Sequence, residues 1–270
     1  MAGLPESASG RGAEQVARLC AEEASRIIMG HFGRGQEVLS KGRGNFTTET
    51  DLAVESAVLE RLRKEYPDHA VLSEERSGEL ADWKHGWLWV VDPIDGTHNF
   101  SQGIPHFCFT IALCHEGEPV LGLTYAPMTG EEFLARKGGG LLVNGEPASA
   151  SATPSLAEAV LGMDLGYDDS RAWKLLSLLV ELWPGVQSVR VMGSAALGLA
   201  FAACGRFDVF VHNFLYPWDL AAGILLVQEG GGLILDRDGG PVTIHSQGVI
   251  AGTPGAAQDF LRLARGKRWR

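Results

Sequence analysis

The run Val90-Val91-Asp92-Pro93-Ile94-Asp95-Gly96-Thr97 ends an apolar strand in two aspartates three positions apart. Pro93 fixes its own φ, and Gly96 permits a sharp turn. Carboxylates at that spacing on a turn can share a pair of divalent ions. The Gly-Thr pair after them can offer N–H groups and a hydroxyl to a phosphate. Mg²⁺ is usually held by one or two carboxylates together with substrate phosphate. The chemistry indicated is metal-assisted hydrolysis of a phosphate ester. Alone, the same residues also read as an Asx-Pro turn closing a strand.

Three further segments bear on that choice. Val71-Leu72-Ser73-Glu74-Glu75 is an apolar strand ending in two acids, which could equally be a solvated loop. Thr47-Thr48-Glu49-Thr50-Asp51 precedes an amphipathic segment and reads as a helix N-cap. Pro217-Trp218-Asp219-Leu220-Ala221-Ala222-Gly223 opens another helix. There Asp219 could complement the helix dipole, and the alanines could allow close packing.

Together, in this order, the four segments resemble the inositol monophosphatase family of Mg²⁺-dependent, lithium-inhibited phosphatases. The matching pieces are Glu-Glu, Asp-Pro-Ile-Asp-Gly-Thr followed by Asn99-Phe100, Trp-Asp-x-Ala-Ala-Gly, and Thr-x-Thr-Asp upstream. The resemblance runs from about Val16 to Leu263. It implies a layered α-β-α-β-α sandwich, usually homodimeric, binding two or three Mg²⁺ ions.

Carried over position by position, the resemblance makes Glu74 the carboxylate of a first metal and Asp92 the bridging ligand. The Ile94 carbonyl would complete the first site, and Asp95 and Asp219 would hold a second ion. Two ions clamping opposite ends of an in-line displacement suit this reaction. Thr97 would orient the attacking water, with Glu74 nearby and Asp51 behind it. Asp95, Gly96 and Thr97 would face the phosphate, its oxygens cradled by the N–H groups of Gly96 and Thr97. Lys41 matches a loop that closes on a weaker third metal site, and also reads as an ordinary surface lysine. Gly193-Ser194-Ala195 resembles the segment that binds the alcohol half; a Gly-Ser helix start is also a routine cap.

The sequence departs from the family pattern at three places. His212 stands where inositol-preferring members carry an acid. His98 follows Thr97, where a second Thr is common, and Ser73 precedes the Glu pair in place of the frequent Gly. The metal set is untouched; the departures bear on which alcohol is recognised, and His212 also reads as a surface residue at a strand-to-loop junction.

The elements that must position these groups are legible around them. Val16, Cys20, Ala24, Ile27 and Ile28 recur at helical spacing, predicting a helix over about 12–31. Residues 30–44 are Gly-rich with interleaved charges and read as a mobile loop. A second helix spans 51–66, strands follow near 70–73 and 87–91, and an antiparallel meander covers 107–114, 119–125 and 132–136. Residues 148–155 are rich in Ala, Ser, Thr and Pro and mark a boundary. It separates an α+β domain, 1–147, carrying most metal ligands, from an α/β domain, 148–270, supplying Asp219 and substrate contacts. In the second half strands near 158–162, 186–191, 207–211, 232–235 and 247–251 alternate with helices over 170–182, 194–204, 218–229 and 254–265. The basic, aromatic tail 265–270 reads as a solvated end.

Length and composition set the class. The 270 residues, 45% apolar, suffice for one large domain or two small ones. A net charge of −10 argues against nonspecific nucleic-acid binding, which needs basic patches. Cys20, Cys108, Cys114 and Cys204 show no CxxC pair and read as reduced core residues. No secretory h-region opens the sequence and no run is long enough to span a membrane. The expectation is a cytoplasmic phosphatase of a small phosphate monoester, with no nucleic-acid or membrane partner. By family resemblance inositol 1-phosphate leads. Histidinol phosphate, fructose 1,6-bisphosphate and 3′-phosphoadenosine 5′-phosphate follow. The reading from another class is a regulatory protein that keeps the fold, since some bacterial relatives serve transcription complexes.

Overall fold

In the computed structural model, residues 3–34, 38–42, 45–76, 85–267 and 269 are described. Helix α1 (Ala13–His31) buries Val16, Cys20, Ala24 and Ile28, the predicted stripe. A hairpin of β1 (Val38–Gly42) and β2 (Asn45–Thr48) leads into α2 (Glu49–Glu65). The first sheet then runs through β3 (Ala70–Ser73), β4 (Trp87–Asp95), β5 (Cys108–His115), β6 (Glu118–Ala126), β7 (Glu131–Arg136), β8 (Gly140–Val143) and β9 (Glu146–Ala148), in that spatial order. Only β3 and β4 pair in parallel; the rest is an antiparallel meander. A short helix, α3 (Thr97–Ser101), leaves the end of β4.

The second sheet has five strands: β10 (Val160–Asp164), β11 (Ser188–Val191), β12 (Val209–His212), β13 (Leu233–Asp236) and β14 (Val249–Gly252). Their spatial order is β11-β10-β12-β14-β13, with β10 parallel to both its neighbours. Helices α4 (Asp169–Leu182), α5 (Ala195–Ala203), α6 (Pro217–Glu229) and α7 (Pro254–Ala264) alternate with these strands.

The layers follow from which faces are apolar. α1 and α2 cover one face of the seven-stranded sheet, through Val54, Val58 and Leu62 against Trp89, Val91 and Ile111. α5 and α6 are buried nearly all round, as helices must be when sheets press from both sides. They lie between the two sheets, in one apolar cluster that includes Val90, Ala112, Phe210 and Ile234. α4 and α7 cover the far side through Leu175, Leu178 and Phe260. The result is the layered α-β-α-β-α sandwich. The two sheets share no strand and divide after Ala148, yet the central apolar cluster draws residues from both. Gly122 of β6 shows how tightly α6 beds on the first sheet. A Cβ there would come within 2.9 Å of the Ala222 carbonyl.

Two sequence expectations need correction. The stretch read as a loop over 30–44 contains β1, whose register pairs Leu39 with Thr47; a Gly-rich turn concealed a hairpin. Lys41 lies within β1, and its side chain lies outside the described residues. The tail is not solvated throughout. Trp269 is buried edge-on against Phe260, and its carbonyl accepts a 2.6 Å hydrogen bond from Asn213 Nδ2. The surrounding basic residues dominate the sequence signal, but one indole finds an apolar slot. Cys20, Cys108 and Cys114 are buried free thiols, and Cys204 is half-buried. Among the described residues no helix is long and apolar enough to cross a membrane.

Candidate active site

β4 is buried along nearly its whole length and breaks register with β5 between Asp92 and Asp95. Asp92 still pairs with Thr110 and Asp95 with Cys108, so the irregularity falls on Pro93 and Ile94 and bends the strand's end between the two aspartates. Gly96, at φ +90°, makes the turn that follows. An added Cβ would meet the Gly193 and His106 carbonyls at 3.1 Å, so only glycine fits. Across the gap α6 begins with Pro217 at its first turn and brings up Asp219. Carboxylate oxygens of Asp92, Asp95 and Asp219, all buried, lie within 4.8 Å of one another.

Each carboxylate has its own anchor. Asp92 Oδ1 accepts the Ile94 N–H at 3.0 Å. Asp219 Oδ2 accepts the Tyr216 N–H at 2.8 Å. Asp95 sits at the N-terminus of α5, where the N–H groups of Ala195 and Ala196 donate at 3.2 and 3.0 Å and the Ser194 hydroxyl also donates. Cys108 Sγ approaches the same carboxylate at 3.7 Å. The helix end therefore holds a side-chain anion of the chain itself.

Three buried acids so close repel one another. Burial pushes Asp92 well above the usual carboxylate range, with the charges of Glu74, Asp95 and Asp219 adding to it. Asp219 rises to about 8, from burial and then from Asp95. Asp95 rises less freely, because Ser194 and the two N–H groups oppose its burial. Such a set of hard, buried oxygen donors fits a divalent ion. Asp92, Asp95 and Asp219 would hold it.

Glu74 follows the end of β3, its N–H on the Val91 carbonyl at 3.3 Å, close enough to bias Asp92 but outside the triad. Beneath it lies Glu55 of α2, which sequence reasoning missed. Glu55 is 1% exposed and takes the Ser73 hydroxyl, the Glu75 N–H at 3.0 Å and Arg76 Nε at 3.2 Å. One turn earlier on the same helix, Asp51 accepts Thr48 Oγ1 at 2.5 Å and Thr48 N–H at 2.8 Å, a capping box. Its other oxygen lies 3.1 Å from Thr97 Oγ1, which is also 2.8 Å from the Ile94 carbonyl. α2 thus braces both sides of the carboxylate cluster. The i, i+4 spacing of two acids was the signal for it. Glu55→Ala is expected to leave a foldable protein that binds a divalent ion at the carboxylate cluster about tenfold more weakly, whereas Glu55→Gln keeps part of the support. A Mg²⁺ titration of both variants checks this.

In front of the cluster opens a cavity of about 300 Å³ lined by Asp95, Gly96, Thr97, Gly193, Ala195 and His212, among others. Of the three residues expected to meet the alcohol, Ser194 and Ala195 spend their polar groups on Asp95, and Gly193 lies at the wall. Asn99 ties this segment down, donating to the Met192 and Gly193 carbonyls at 2.7 and 3.2 Å. Asp164, also missed, fixes it from the other side by accepting Met192 and Gly193 N–H at 2.9 and 2.6 Å. His212 is no surface residue. It is 3% exposed, and its Nδ1 accepts the Phe214 N–H at 3.2 Å. Burial drives its pKa down to about 3, so it stays neutral with its proton on Nε2.

The layered sandwich, with a carboxylate cluster at a strand end facing a helix start, defines a class of phosphate-handling hydrolases. Residues 13–268 match the model of the inositol monophosphatase family. The chain is 36% identical to an inositol monophosphatase of Dictyostelium discoideum, over 88% of this chain and 89% of that one. It is likewise 36% identical to the Nus factor SuhB of Escherichia coli K12, over 93% and 94% of the two chains. The extragenic suppressor protein suhB from Bartonella henselae superposes with a TM-score of 0.85 at 31% identity, covering 94% and 98%. The chain belongs to the inositol monophosphatase family, a family of phosphatases.

Proposed function

We propose that this protein is a cytoplasmic, Mg²⁺-dependent phosphatase of a small phosphate monoester, with inositol 1-phosphate the first substrate to test. The observation that carries the reading is the buried Asp92, Asp95 and Asp219 cluster, opening onto one cavity beside Thr97. Divalent ions bound there would neutralise the phosphate and acidify the attacking water. The rest falls to the chain. Thr97 has one hydroxyl proton and two acceptors, Asp51 and the Ile94 carbonyl. With that proton committed, its oxygen can only accept, so it takes a hydrogen from water and turns a water lone pair toward phosphorus. Attack forms the new P–O bond as the ester P–O bond breaks, and the alcohol leaves with a proton. The bases we assign to that water are Glu74, by the family resemblance, and Asp51, which already accepts from Thr97.

A regulatory protein that has kept the fold is the second reading, favoured by equal identity to a Nus factor. The intact carboxylates Glu74, Asp92, Asp95 and Asp219 support the enzyme. Phosphate release from inositol 1-phosphate, histidinol phosphate, fructose 1,6-bisphosphate and 3′-phosphoadenosine 5′-phosphate, each with Mg²⁺, decides. No release from any of them would leave the regulator.

His212 bears on substrate choice. Neutral and Nε2-protonated, it offers the cavity a donor where an acid would offer acceptors for vicinal hydroxyls. His212→Glu is expected to raise kcat/KM for inositol 1-phosphate relative to another accepted ester by about tenfold, the worth of one good polar contact. An unchanged ratio would place specificity elsewhere.

The same reading includes a homodimer. α4 leaves Trp173, Val180 and the following Trp183 at 71, 76 and 57% exposure, with Leu176 between them. Large apolar side chains grouped on one helix face mark an interaction surface. Sedimentation should give a dimer for the wild type and a monomer for Trp173→Glu/Val180→Lys.

A further inference from the structure

The cavity wall beyond the carboxylates carries three large aromatic side chains, Phe46, Tyr167 and Phe214, and they come from both halves of the molecule. From the first half, Phe46 of β2 stacks on His98 of α3, centroids 5.2 Å apart and planes 22° apart. From the second half come Tyr167, on the turn after β10, and Phe214, just past β12. Phe214 is held from behind: the Arg171 guanidinium lies 4.8 Å over its ring and Tyr216 meets it edge-on at 5.1 Å. Tyr216 also stands 6.5 Å from Tyr167 and stacks on Trp218. These rings form a supported wall.

The turn that presents Tyr167 is equally fixed. Gly166 has φ +65°, and a Cβ on it would meet His212 Cε1 and the Phe214 carbonyl at 3.0 Å. Tyr167 itself is 42% exposed, a large ring left open to the cavity. It lines the same cavity as Asp95 and Asp219.

Polar groups are few on the same wall. Asp164, the register partner of His212, spends one oxygen on two backbone N–H groups. Ser194 is committed to Asp95. What the wall adds for an alcohol is the His212 donor, the Tyr167 hydroxyl, the His98 ring nitrogens and the other oxygen of Asp164. A ring carrying many hydroxyls needs an acceptor or donor for each one it buries, and hydroxyls left unmatched are costly. A flat conjugated ring needs faces, and faces are what the cavity supplies.

We propose that the alcohol half of the preferred substrate carries a flat aromatic or heteroaromatic ring, which lies against Tyr167 and Phe214 while the ester phosphate meets the carboxylate cluster. This rests on the phosphatase reading above and narrows it to a substrate class. Both the phosphate end and the ring end fit a cavity of about 300 Å³.

The test uses two esters matched in leaving-group chemistry and differing in ring shape: benzyl phosphate, flat, and cyclohexylmethyl phosphate, puckered. Stacking on one aromatic face is worth roughly a factor of ten or more. With Mg²⁺, kcat/KM should favour the benzyl ester about tenfold, mainly through KM. Tyr167→Leu keeps apolar bulk and removes the flat face; it should bring the ratio close to one. A second arm measures binding of the corresponding non-hydrolysable phosphonates to the same Mg²⁺-loaded protein by calorimetry. Tighter binding of benzylphosphonate, lost in Tyr167→Leu, supports the ring site even if no ester turns over, and absence of turnover alone would count against the phosphatase reading only. Equal turnover and equal binding of the two shapes would overturn the proposal. So would a preference that survives Tyr167→Leu and Phe214→Ala, or a tenfold preference for inositol 1-phosphate over benzyl phosphate.

Discussion

Asp92→Asn is expected to lower kcat by about three orders of magnitude while leaving the fold intact. The charges of Glu74, Asp95 and Asp219 all act on Asp92, and the family resemblance makes it the ligand shared by two metal positions. Losing one such charge removes several kcal/mol of transition-state stabilisation, which is a factor of about 10³ in rate. Asp219→Asn should follow the same course with a smaller loss, since it faces only one of those positions. The same variants should change stability in the opposite sense. In metal-free protein the native carboxyls of Asp92 and Asp219 titrate above the ordinary carboxylate range, Asp219 at about 8. The native state therefore holds protons that the unfolded chain has released, and stability falls as pH rises from about 4 toward 8. Tm measured in EDTA should be higher at pH 5 than at pH 8. Asp92→Asn should raise Tm at pH 8 and flatten the profile. Near-normal turnover in Asp92→Asn, or an apo Tm that climbs with pH over that range, would contradict the assignment.

Chelation is expected to abolish phosphate release, and Mg²⁺ to restore it. Without cations, Asp92, Asp95 and Asp219 offer an anionic substrate nothing to neutralise its charge, only carboxyls that hold protons or repel it. With them, the same oxygens become ligands. The family resemblance adds inhibition by Li⁺. Metal binding should also appear with no substrate present. At a hundredfold excess over Kd, one bound ion adds about 2.7 kcal/mol to folding stability, a thermal shift of several degrees for a domain this size. The shift should be largest at pH 8, where the repulsion it relieves is greatest. Full turnover in chelator would remove the metal-assisted reading.

Much of this was legible in sequence, for identifiable reasons. The helical stripes at Val16, Cys20, Ala24 and Ile28, and at Val54, Val58 and Leu62, face one apolar sheet, and a single face writes a clear period. β4 through β7 and the alternation after residue 158 were equally plain. The β1–β2 hairpin was not, because Gly-rich polar strands at an edge carry little apolar signal. β8 and β9 were lost among turn residues for the same reason. At the site, the carboxylates of β4 and α6 were visible as motifs. Their supports were not. Glu55, Asp164 and Asn99 act by hydrogen-bonding backbone groups far away in sequence, and only the tertiary fold shows which ones. Ser194 and Ala195 were read as alcohol contacts; the folded chain turns their polar groups to Asp95. Tyr167 and Phe214 were missed because aromatic residues near strand ends look like ordinary core.

Asp95 leaves β4 of the seven-stranded sheet but is held by α5, and its partner Asp219 sits on α6; both helices lie between the two sheets. An ion shared by Asp92, Asp95 and Asp219 would therefore rivet strand end to helix starts across the seam between the halves. Its loss would be felt as mechanical loosening as well as lost chemistry. Backbone amides of β4 and of the first turns of α5 and α6 should then exchange with solvent as one unit, slowing together when Mg²⁺ is added and quickening together when it is withdrawn.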